Sequence, residues 1–91
     1  MEQKFIAAWQ KARLDATNLG VRLRPMELTM SNARRALGGN RVSDGFWILA
    51  DLGRLDLSLE ALVVSKAFTG LFSDQEANTA LTRLLDANYF G

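Results

Sequence analysis

Apolar residues in this chain recur at helical spacing, and glycine or proline interrupts each run before it grows long. Phe5, Ala8, Trp9, Ala12, Ala16 and Leu19 share one face in the first segment, as residues at i, i+3, i+4 and i+7 do on a core-facing helix. Ala77, Ala80, Leu81, Leu84 and Leu85 repeat the pattern in the last segment. The β-branched pair Val63–Val64 favours a strand, but the chain offers no second strand-like run to pair with it and an isolated strand is not stable. The consistent solution is an all-α fold: a compact orthogonal bundle of about five helices and no sheet.

Punctuation sets the expected boundaries. Gly20 suits the left-handed position just past a helix end. Pro25 disfavours helix before it and suits a first helical turn after it. Gly38-Gly39-Asn40 and Gly53 are further breaks. The predicted helices span 2–19, 26–37, 44–52, 58–64 and 74–88, with a short helical turn at 66–72. The second begins at Met26 or, with Thr29 as N-cap, slightly later. Ser43 is the expected cap of the third helix, with Asp44 near its positive dipole end, and Ser58 or Asp56 that of the fourth. Ser73-Asp74-Gln75-Glu76 has the form of a capping box, flanked by Phe72 and Ala77 in staple positions.

At 91 residues the chain suits a single helical domain, 1–91. It lacks cysteine, so neither a disulfide nor a thiolate-bound metal holds it together. Packing must do that work. A composition 48% hydrophobic and 23% charged is that of a globular chain rather than a disordered one. The N-terminus lacks a secretory pattern and no apolar run approaches bilayer length, so a cytoplasmic location away from the membrane is expected. Charge is uneven. Residues 1–54 hold nine Lys or Arg against five acids, and residues 55–91 hold two against five, an asymmetry that bears on association rather than fold.

With neither His nor Cys, the chain lacks the usual base near neutral pH, the common nucleophile pairs and the ordinary zinc ligands. Carboxylate pairs are what remains for acid–base work. The candidates are Asp51 with Asp56, and Glu60 with its neighbours, yet Asp51 and Glu60 read as solvated positions. A non-enzymatic protein without cofactor or metal is therefore expected. Gly38-Gly39-Asn40-Arg41 ahead of a helix has some features of a phosphate cradle, but it follows a helix and lacks P-loop spacing. It reads as a turn that uses its glycines for positive φ.

Two features point to binding. Arg22, Arg24, Arg34, Arg35 and Arg41 cluster with Glu27 as the one acid between Arg22 and Arg41; Arg22 and Arg24 alternate along an extended stretch and so project the same way. A helix-turn-helix reading of this region fails. Its recognition helix would be Phe46-Trp47-Ile48-Leu49, which carries no base-reading Arg, Lys, Asn or Gln. The second feature is an apolar surplus: Phe46, Trp47, Ile48, Phe68, Phe72, Tyr89 and Phe90, with Ile6 and Leu14 off their helix stripe. A third helix apolar all round must be the central element or be covered by another molecule. The expected function is a small protein-binding module of adaptor, inhibitor, immunity or anti-defence type. Its interface would be an apolar patch of Leu14, Trp47, Tyr89 and Phe90 rimmed by Arg22, Arg24, Arg34, Arg35 and Arg41. Its partner would be another protein or a second copy in a homodimer; the alternative is a nucleic-acid regulator that uses the arginines on phosphates.

Overall fold

The computed structural model describes residues 1–90, which form helices and turns with no strand. The helices are α1 (Glu2–Asn18), α2 (Met30–Gly38), α3 (Phe46–Asp51), α4 (Leu59–Val63) and α5 (Asp74–Asp86), with 3-10 turns at Leu55–Leu57 and Lys66–Phe68. A radius of gyration of 11.9 Å matches the ~12 Å of a compact chain this long. No helix among the described residues is long and apolar enough to cross a membrane. All five expected helices form, each shorter than its sequence pattern.

Capping explains the boundaries. Thr29, extended at φ −129°, accepts the Asn32 N–H at 3.0 Å and so starts α2 after Met26 rather than at it. Asn32 donates its side-chain amide to the Glu27 carbonyl at 2.7 Å, which folds the preceding stretch back onto the helix start. Ser58 accepts the Ala61 N–H to cap α4. Ser73 and Glu76 form the complete reciprocal box that opens α5. The start of α3 departs from expectation: its N-cap is Gly45 at φ 79°, with no side-chain cap. Neither Gly38 nor Gly39 has positive φ, contrary to the expected turn; Gly39 is extended and continues the chain out of α2.

The interior comprises two adjoining apolar clusters. Phe5 and Trp9 of α1 anchor the first, where the Phe5 ring meets Phe68 and Phe72 edge-on at 5.1 and 4.9 Å; such pairs add ~0.5–1.5 kcal/mol each beyond burial. The second gathers Ala12 and Ala16 of α1 with Phe46 and Leu49 of α3 and Leu84 of α5. Of the two alternatives for the third helix the central one is excluded, and the buried face of α5 is corrected. Helix α3 is not central, because it buries Phe46 and Leu49 and leaves Trp47, Ile48 and Leu52 half in solvent. Helix α5 buries Ala80, Arg83 and Leu84 while Leu81 and Leu85 face out. An arginine occupies an inward position that the apolar pattern assigned to leucines.

Candidate protein-interaction surface

Helix α4 carries Glu60 at full burial, although its sequence setting reads as solvated. Burying a carboxylate is costly unless it is paired and hydrogen-bonded, and Glu60 meets both conditions. One carboxylate oxygen accepts the Ser43 N–H at 2.8 Å and an Arg83 guanidinium N–H at 3.1 Å; the other accepts the Ser43 hydroxyl at 2.5 Å. Arg83 also donates to the carbonyls of Ala36 at 3.2 Å and Gly39 at 2.9 Å, groups that the end of α2 leaves without helical partners. No buried side-chain polar atom among the described residues lacks a partner.

This buried cluster explains the shape of the 39–45 loop. Ser43 does not cap α3 because its hydroxyl is directed to Glu60. The neighbouring Asp44 does not serve the helix either: its carboxylate accepts the Arg24 backbone N–H at 2.5 Å. On the other side of that segment, Arg13 donates to the Arg24 carbonyl at 2.6 Å. The 21–24 stretch is thereby tied to both α1 and the loop. Its alternation holds, with Val21 buried, Leu23 half-buried, and Arg22 and Arg24 exposed.

The five arginines of the expected rim separate into two groups. Arg34 lies 3.8 Å from the Glu76 carboxylate and donates to the Leu71 carbonyl at 3.4 Å, so it belongs to the α2–α5 contact. The side chains of Arg22, Arg24, Arg35 and Arg41 are exposed, and none makes an ion pair or hydrogen bond among the described residues. Arg54, at the far end of α3, forms a fork with Asp56 at 3.1 and 3.3 Å; that hydrogen bonding and the adjacent charge raise its pKa above the ordinary arginine value.

Arg24, Arg41, Trp47 and Ile48 line one open groove of about 760 Å³, walled on its inner side by the 40–46 loop. The Trp47 ring stands edge-on to Phe46 at 5.1 Å, with 52% of the residue still accessible, and Ile48 is 50% accessible beside it in sequence. Arg41 and Arg35 line the adjoining depression along the same loop. The remaining expected interface residues lie elsewhere. Leu14 is 61% exposed on the side of α1 away from its buried stripe and does not line the groove. Tyr89 and Phe90 pack on each other edge-on at 5.1 Å just beyond α5, again outside the groove.

Sequence reasoning missed Glu60, Ser43 and Arg83 as the supports of this surface. A serine and an arginine 17 and 23 residues from Glu60 carry no local signal of meeting there. No protein-family model matches the chain, and no curated protein or solved structure is significantly similar to it.

Proposed function

We propose that this chain is a non-enzymatic protein-binding module whose contact surface is the outer edge of α3 with the arginines of the flanking segments. The observation that carries the reading is the groove in which half-exposed Trp47 and Ile48 lie with Arg24 and Arg41. Tryptophan and arginine are the residues that interface hot spots favour, and a helix that leaves Trp47 and Ile48 half in water gains by being covered. The loop and extended segment around the groove are held by buried or short hydrogen bonds, so little ordering entropy would oppose binding there. In support of a non-catalytic role, Glu60 is wholly enclosed by Arg83 and Ser43 and cannot meet a substrate. The adaptor, inhibitor, immunity and anti-defence roles all remain within this reading, and a cytoplasmic location suits it.

A capture experiment from the native cell tests the reading. Wild-type protein on beads should retain a partner that Trp47→Ser protein does not, while both show the same helical circular dichroism and unfold cooperatively above the assay temperature. Equal retention by the two proteins, or no retained protein, would remove the α3 edge as the interface.

A further inference from the structure

Resting on that reading, we infer that the groove takes an extended protein segment in which a carboxylate side chain lies next to a large apolar one. The groove offers two kinds of contact side by side. Arg24 and Arg41 supply guanidinium groups with no internal partner among the described residues, and Trp47 and Ile48 supply half-exposed apolar surface. Asp44, the acid on the same lining, keeps its charge while it accepts the Arg24 backbone N–H, and two arginines against this one carboxylate leave the lining net positive. A guanidinium fork matches a carboxylate in shape as well as charge. Charge complementarity therefore selects an acidic occupant, and the adjacent indole and isoleucine select an apolar residue within it.

The groove's form narrows the occupant further. It is open along the loop rather than enclosed, and continues past Arg41 into the depression that Arg35 also lines. An extended chain follows such a surface, whereas a small ligand is normally held in a pocket that buries most of it. A nucleic acid is the weaker match. One of its two apolar contact side chains is aliphatic Ile48, which gives no stacking face, and α3 carries no Arg, Lys, Asn or Gln, the residues that most often read base edges. The buried pair beneath the loop bears on the same point. Glu60 holds Ser43, next to Asp44, and Asp44 holds Arg24, so the two walls of the groove are fixed to each other before any partner arrives.

The test is fluorescence anisotropy with three labelled polymers at low salt: a random poly(Glu,Tyr) copolymer, poly-Glu and a generic DNA duplex. Wild-type protein should bind poly(Glu,Tyr) more tightly than either of the others. Arg41→Ala and Trp47→Ser should each weaken that binding about tenfold or more, the loss expected for one charge-assisted or anchoring contact. Far-UV circular dichroism confirms that each variant is folded, and Leu14→Ser, outside the groove, should bind as wild type. Equal affinity for poly-Glu would show that only net charge is read, and equal or tighter binding of DNA through Arg41 would assign the groove to phosphates. Either result, or no binding of poly(Glu,Tyr) by the wild type, overturns the inference. Its failure is separable from failure of the broader reading. A cellular partner that depends on Trp47 but is not displaced by poly(Glu,Tyr) leaves the α3 edge as the interface and removes only the acidic segment.

Discussion

Replacing Glu60 by glutamine should be among the most damaging near-isosteric changes in this protein. The substitution keeps the volume but removes the negative charge that faces Arg83 at 3.1 Å in a site closed to water. The amide oxygen can still accept from the Ser43 N–H and Arg83, and the NH₂ can donate to the Ser43 hydroxyl, which then accepts where it now donates, so the cost comes from the lost charge rather than from a lost hydrogen bond. Breaking a buried pair by removing one partner typically costs ~3–5 kcal/mol, because the other charge is left uncompensated. Retained acceptor capacity at the amide oxygen favours the lower end, about 3 kcal/mol. A chain of 91 residues has a total stability of roughly 5–14 kcal/mol, so the change removes a large fraction of it. The midpoint should fall by roughly 12–24 °C at ~4–8 °C per kcal/mol. Urea unfolding followed by circular dichroism measures the loss, with Arg83→Met and the Glu60→Gln/Arg83→Met double variant completing a cycle. The double variant should be more stable than the sum of the singles by over about 1 kcal/mol. A single-variant cost below about 1 kcal/mol, with an additive cycle, would refute the view that this pair fixes the loop.

Other outcomes follow from the same geometry. Ser73→Ala removes the hydroxyl that accepts the Glu76 N–H at 3.1 Å and should cost ~1 kcal/mol in urea unfolding. Gly45→Ala should cost ~1–2 kcal/mol for its φ of +79°. It should cost more than Gly53→Ala at +70°, because the new methyl would meet Leu23 Cδ2 at 2.7 Å and buried Val21 Cγ1 at 3.1 Å where Gly53 has open space. Trp47→Ser should cost ~1–3 kcal/mol, from the covered half of the indole and its edge-on contact with Phe46, and should leave a folded protein that no longer binds its partner. Light scattering across a concentration series should show a monomer. A dimer that Ile48→Ser or Leu85→Ser dissociates would make a second copy the occupant of the exposed apolar surface.

Local chemistry was readable from the residues, and long-range chemistry was not. The Ser73–Glu76 box, the Thr29 and Ser58 caps and the Phe5–Trp9–Ala12–Ala16 stripe each rest on contacts within one helical turn or face. The third helix was assigned the wrong cap because Ser43 lies in a good capping position, and only the fold reveals the competing acceptor 17 residues away. The α5 stripe was misjudged for a related reason. Apolar periodicity marks one broad face of Ala77, Ala80, Leu81, Leu84 and Leu85, in which Leu81 and Leu85 form one edge and Ala80 and Leu84 the other. The bundle covers that second edge, where Arg83 crosses to Glu60. On the surface, the arginine cluster was legible as composition. That Arg34 turns to Glu76 while Arg24 and Arg41 line one groove with Trp47 depends on how α2 and the loop pack. Leu14, Tyr89 and Phe90 stay exposed as the apolar surplus implies, but being left over from the core does not bring them to one place.

Amide hydrogen exchange of the protein with and without its captured partner tests the location of the interface most directly. New protection is expected at residues 22–24 and 40–52, with Arg41→Glu protein showing none at the same partner concentration. Protection centred instead on α1 around Leu14 or on the Tyr89–Phe90 end, with residues 40–52 unchanged, would contradict that location.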